Sequence, residues 1–184
     1  MTRIHYRDYF VALFTFSYSA RGLIRWVDKD GSGYINAEEL QAALTNGLGT
    51  PFDIACVSLM ISLFDADNNG TISLNEFGQL FNYITSWQNL FTQHDRDRSG
   101  SIDFNEFSSA LQHFGYNLSP RFVQWLMMRF DRQRLNKLGF DKYIYILVCL
   151  QILTRSFSAL DVQRRGVVNM SFEQFLGAAF NMCV

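Results

Sequence analysis

Residues Asp95 to Glu106 read DRDRSGSIDFNE. Oxygen-bearing side chains fall on alternate places here, with Asp95, Asp97 and Ser99 at positions 1, 3 and 5. Gly100 at position 6 allows the chain to turn sharply through a positive φ. Ser101 at position 7 offers its backbone carbonyl, and Asp103 at position 9 can act through a water. Glu106 at position 12 is long enough to bind with both carboxylate oxygens. About seven oxygens in loose geometry suit a hard divalent cation, and the spacing is that of a calcium loop. Ile102 at position 8 supplies no ligand. An extended apolar residue there lets two such loops pair as a short antiparallel ladder.

Two further stretches repeat the pattern: Asp28–Glu39, DKDGSGYINAEE, and Asp65–Glu76, DADNNGTISLNE. The first offers Asp28, Asp30, Ser32, the Tyr34 carbonyl and Glu39, with Asn36 at position 9. The second offers Asp65, Asp67, Asn69, the Thr71 carbonyl and Glu76, with Ser73 at position 9. Gly33 and Gly70 make the turns, and Ile35 and Ile72 take position 8. Three complete matches to the twelve-residue EF-hand loop, each flanked by apolar runs, predict three calcium sites.

Two damaged copies follow. DRQRLNKLGFDK, from Asp131, has Gln133 and Leu135 at positions 3 and 5 and Asn136 in place of glycine. Lys142 puts a cation where the closing carboxylate belongs. DVQRRGVVNMSFEQF, from Asp161, carries Gln163 and Arg165 at positions 3 and 5. Its glutamate, Glu173, comes one residue later than an ordinary loop wants it. The loops at 131–142 and 161–174 are therefore not expected to bind calcium. Yet position 8 stays apolar in both, as Leu138 and Val168. So does the residue four before every loop: Ile24, Ile61, Phe91, Met127 and Phe157.

The loop starts lie 37, 30, 36 and 30 residues apart. In the short intervals, 77–94 and 143–160 read as single helices shared by neighbouring hands, each roughly 27 Å long. In the long ones the chain breaks, at Thr50-Pro51 and at Ser119-Pro120, an N-cap followed by proline at the first helical position. The expected fold is all-α, with five EF-hands on about eight helices. An N-terminal segment or helix over 1–21 precedes the domain over 22–184. The first hand pairs with the second and the third with the fourth. The fifth is left without a partner in its own chain, and an exposed loop strand and apolar helix faces are costly. Its expected role is dimerisation across a twofold axis, through Val167, Val168, Phe172 and Phe175.

Bulk composition narrows the function. A net charge of −1 gives no drive toward nucleic acid. Cys56, Cys149 and Cys183 are widely spaced, which argues against zinc and against a disulfide framework, and suits a reducing compartment. The apolar run Tyr9–Tyr18 is too short to span a bilayer. With Arg3 and Arg7 ahead of it a signal peptide is an alternative, but Asp8 favours a first helix packed on the core. His5, His94 and His113 are scattered without nucleophile–base spacing, so no enzyme is expected.

Five hands, two shared helices and a degenerate last hand with a longer loop resemble the penta-EF-hand family. Within it, VDKDGSGYINAEELQAALTNG (27–47), YITSWQNLF (83–91), FGYNLS (114–119), RFDRQ (129–133) and FEQFL (172–176) are similar to the programmed-cell-death-linked adaptor and peflin subgroup. Residues 1–21 are neither Gly- nor Pro-rich, unlike the tails usual there. The second loop is complete here, where such proteins often have a weakened one. The resemblance implies a cytoplasmic homodimer or heterodimer, recruited to membranes or the nucleus when calcium rises. Any membrane association would be indirect or calcium-dependent. It implies capture of proline-rich protein targets in membrane traffic or repair, in a groove near Phe81, Ile84, Trp87, Phe114 and Tyr116. The competing readings are a calcium-binding regulatory subunit of a larger, calpain-like enzyme and a calcium buffer.

Overall fold

The computed structural model describes residues 27–44, 50–131 and 135–180. The expected N-terminal segment, Ile24 and Cys183 lie outside them. The chain forms two compact units, one reaching to Ile144 and one from Tyr145 onward.

Seven helices are present among the described residues: α1 (Ala37–Ala43), α2 (Ile54–Phe64), α3 (Leu74–His94), α4 (Phe104–His113), α5 (Pro120–Phe130), α6 (Phe140–Leu160) and α7 (Phe172–Phe180). Between them lie two short strands, β1 (Tyr34–Ile35) and β2 (Ile72–Ser73). The single helices expected over 77–94 and 143–160 are α3 and α6, each 21 residues long. By length and apolar composition α6 would suffice to cross a membrane. Its first turns instead lie in the core, with Phe140, Tyr143 and Ile144 at 0% exposure. A helix that serves two hands needs apolar side chains on more than one side.

The loops pair as their position-8 residues predict. β1 and β2 run antiparallel, with Ile35 opposite Ile72. In the third and fourth hands Ile102 and Leu138 exchange both backbone bonds, at 2.8 and 2.9 Å. All four side chains are fully buried. The apolar residue four before each loop has a plain role. Its carbonyl accepts from the loop's first N–H, as Asp65 to Ile61, Asp95 to Phe91, Asp131 to Met127 and Asp161 to Phe157. Ile61, Phe91 and Met127 also pack the core, whereas Phe157 is exposed.

Helix starts follow their caps. The Ser119 hydroxyl accepts from Phe122 N–H ahead of Pro120, as expected. Thr50-Pro51 does not start a helix. α2 begins three residues later, where the Asp53 carboxylate accepts from Ala55 N–H. Phe52, fully buried against the Phe140 ring at 5.8 Å, holds the intervening chain in the core. An aromatic cluster fills the first unit, with Phe91 5.3 Å from both Phe140 and Tyr143. Such edge-on contacts add to area burial.

Candidate metal centres

Each complete loop is built by the same bonds. The position-1 carboxylate accepts from the N–H groups at positions 5 and 6: Asp28 from Ser32 and Gly33, both at 3.0 Å; Asp65 from Asn69 and Gly70; Asp95 from Ser99 and Gly100. The backbone takes positive φ at position 4 (Gly31, Asn68, Arg98) and at position 6 (Gly33, Gly70, Gly100). A left-handed residue at position 4 is uncommon for a side chain such as that of Arg98. The sequence pattern does not announce it.

The position-12 glutamate closes each loop. One oxygen of Glu106 accepts from Arg96 N–H at 2.8 Å, and the other from Asp103 N–H at 2.9 Å. Asp103 accepts in return from Glu106 N–H, completing a capping box on α4. Glu39 with Asn36 and Glu76 with Ser73 do the same for α1 and α3. The closing carboxylate thus ties the loop entrance to the first turn of the exit helix.

Three carboxylate groups result: Asp28, Asp30 and Glu39; Asp65, Asp67 and Glu76; Asp95, Asp97 and Glu106. In each, one oxygen per residue lies within 4.8 Å of the others. The serine hydroxyls add to the first and third. Ser32 Oγ donates to the Tyr34 carbonyl at 3.1 Å, and Ser99 Oγ to the Ser101 carbonyl at 3.0 Å. Positions 5 and 7 are therefore brought together in these two loops, and with the carboxylates they offer hard oxygen donors of the kind that fits calcium.

The three clusters differ in electrostatics. Hydrogen bonds from Ser32 and Ser99 hold Asp30 and Asp97 below the usual carboxylate range. Amide donors at Ser73 and Ala66 do so for Glu76. In the third loop burial pushes Asp95 up. Asp95, Ser101 and Glu106 are 8%, 1% and 7% exposed, so this is the most enclosed cluster. Beside it, His94 is pushed down by burial; its Nδ1 lies 2.8 Å from the Leu90 carbonyl and 3.0 Å from the Tyr143 hydroxyl.

The two damaged loops keep the turn and lack the donors. Asp131 still accepts from Asn136 N–H, with Asn136 at φ 53°. Asp161 accepts from Arg165 and Gly166 N–H at 3.0 and 2.7 Å. The first aspartate survives because it shapes the loop, whatever the ligands. Lys142 forms an ion pair with Asp53, the N-cap of α2, and the Asp141 carboxylate accepts from Asp53 N–H at 3.0 Å. The fourth hand's closing residue thus joins it to the first pair of hands. Replacing Lys142 by Met leaves a partly buried carboxylate without its cation. The expected cost is about 2 kcal/mol, a fall of roughly 4–8 °C in melting temperature, read by calorimetry. In the fifth loop Gln174, and not Glu173, takes the closing place. Its Oε1 accepts from Ser171 N–H at 2.9 Å, while Glu173 is exposed. A two-residue insertion shifts the box to Gln174, the end of the expected 161–174 loop.

The groove candidates divide. Ile84 and Trp87 are core residues at 4% and 5% exposure, whereas Phe81, Phe114 and Tyr116 are half-buried. Trp87 and Phe114 are brought together at 5.8 Å, while Phe81 lies against Phe77. Val167, Phe172 and Phe175 are 75%, 72% and 54% exposed, and Val168 is half-buried.

Helix–loop–helix hands paired through their loops, with three carboxylate clusters, define a calcium-binding protein of the EF-hand class. The EF-hand domain pair profile matches residues 25–81, and an EF-hand domain profile matches 86–115. The chain is 54% identical to a Schistosoma japonicum sorcin over 90% of its own length and 96% of that protein. It is 41% identical to human peflin over 82% of its length, spanning about half (53%) of that relative. A solved structure of a homolog of programmed cell death 6 protein from Leishmania major Friedlin superposes with a TM-score of 0.78 at 35% identity, covering 90% of this chain and 95% of that one. The chain belongs to the penta-EF-hand family, on its sorcin, peflin and programmed-cell-death-6-like side.

Proposed function

We propose that the chain is a cytoplasmic calcium sensor and adaptor that works as a dimer. The observation that carries the reading is the double duty of Glu39, Glu76 and Glu106. Each belongs to a carboxylate cluster and also caps the exit helix. An ion drawn to the cluster acts directly on the helix.

The assigned ligands are Asp28, Asp30, Ser32, Tyr34 and Glu39; Asp65, Asp67, Asn69, Thr71 and Glu76; and Asp95, Asp97, Ser99, Ser101 and Glu106. The tyrosine, Thr71 and Ser101 act through their carbonyls. Calcium offsets the repulsion among the acids and pulls the glutamate inward, and α1, α3 and α4 move with it. The third site fills first, because its buried Asp95 gains most from a cation. Affinities of roughly 0.1–10 µM suit a cytosolic signal.

Helix movement around Trp87 and Phe114 would open an apolar groove for proline-rich segments of membrane-traffic or repair proteins. The fifth hand supplies the dimer contact. Leu153, Phe157, Leu160, Met170 and Phe175 line an almost wholly apolar groove of about 350 Å³ in that unit. The exposed Phe172 and Val167 are the side chains a second fifth hand would cover. A dimer holding two targets gains by effective concentration.

Affinity capture from cytosol on immobilised chain, in calcium and in chelator, tests the reading. Proteins with proline-rich segments should be held in calcium and released by chelator. A single stoichiometric partner held in both conditions would point instead to a regulatory subunit. Nothing held in either would leave a buffer.

A further inference from the structure

The fourth hand's entering helix carries an exposed surface outside the calcium loops. On α5, Val123, Leu126 and Met127 are buried, as an amphipathic helix requires. The opposite face is not polar. Phe122, Trp125 and Met128 are 41%, 55% and 68% exposed. The two rings stack, with centroids 5.4 Å apart and planes inclined by 26°. Arg121 and Arg129 are exposed as well. At about 100° per residue these five side chains fall within about 120° of one another around the helix.

Charge on that face has one sign, and Asp131 at the end of the helix is engaged by the Asn136 N–H. From Phe107 to Phe130 the chain contains no aspartate or glutamate. α4 packs against α5, and its one carboxylate, Glu106, is engaged in the third loop. Neither arginine pairs with a carboxylate among the described residues. A chain of net charge −1 therefore presents a local cationic, aromatic face.

We propose that this α5 face lies on anionic membrane surfaces, with Trp125, Phe122 and Met128 at headgroup depth and Arg121 and Arg129 on lipid phosphates. Stacked aromatics on a convex helix, flanked by long cationic side chains, match the demands of a bilayer interface. A protein ligand would gain more from a pocket that encloses its anchor residue. The fourth loop lacks calcium ligands, so no ion bound there repositions α5. The contact is direct and needs no calcium, unlike the indirect or calcium-dependent association that the family resemblance implies, and so goes beyond the capture of targets proposed above.

Cosedimentation of the full chain, in chelator, with phosphatidylcholine vesicles and with vesicles containing roughly a third phosphatidylserine is the test. The chain should partition onto the anionic vesicles and leave them as salt rises. R121Q/R129Q should weaken partitioning by roughly 30-fold. W125S should weaken it by roughly tenfold. Both variants should keep the wild-type calcium stoichiometry, since these side chains stand outside the loops. The proposal is overturned if the chain ignores anionic vesicles in chelator, binds neutral ones equally, or binds unchanged in both variants. A soluble protein whose capture needs Trp125 while vesicles do not would overturn it in favour of a protein-docking face.

Discussion

Glu106→Gln lowers calcium stoichiometry by one site in a calorimetric titration, and the affinity of the third loop falls by about 100-fold, near 2.7 kcal/mol. Length is kept, so the change tests charge and donor chemistry. The amide can offer one oxygen to the ion where the carboxylate offers two. Its NH₂ also faces the backbone N–H of Arg96 or Asp103, each of which needs an acceptor. The single amide oxygen can serve the loop entrance at Arg96 or the capping box of α4 at Asp103, and not both. Calcium-dependent target capture should fall with the site, and further when Glu39→Ala is added. Full capture by the double variant would sink the sensor mechanism. An unchanged stoichiometry would sink the ligand assignment.

Phe175→Asp converts the proposed dimer into a monomer in analytical ultracentrifugation. Phe175 lines the groove of the fifth hand and is 54% exposed in the single chain. Burying a side chain of this kind stabilises by about 2 kcal/mol. A twofold interface counts the loss twice, giving about 4 kcal/mol and nearly a thousandfold in dissociation constant. Calcium stoichiometry should not change. A dimer that survives this substitution with its dissociation constant intact would place the interface elsewhere.

Much of the architecture was legible because calcium chemistry and loop pairing fix residue types at fixed spacings. Ile35, Ile72, Ile102 and Leu138 announced the two loop pairs, and both were found. The 30-residue intervals announced α3 and α6. What stayed hidden came from contacts distant in sequence or from local shifts of register. Lys142 read as a lost ligand, and its pairing with Asp53 depends on the fold bringing residues 89 apart together. The 161–174 loop was legible in length, but not that Gln174 rather than Glu173 closes it, and Thr50-Pro51 was outcompeted as a helix start by Asp53, whose carboxylate takes the Ala55 amide. For Ile84 and Trp87, an aromatic stripe cannot announce which members are core; the packing against Phe114 and Tyr143 places Trp87 there.

The clamp made by the first aspartate bears on how fast this protein can respond. The fifth loop holds both bonds of this clamp, and the fourth the bond at position 6, without a calcium donor set, so the clamp does not need the ion to form. An arriving ion then meets a loop already shaped, and capture approaches the speed of an electrostatically steered encounter, about 10⁸ M⁻¹s⁻¹. With a dissociation constant of about 1 µM, release takes about 10 ms. Stopped-flow chelation would time it. A sensor with that lifetime follows individual calcium spikes rather than their average.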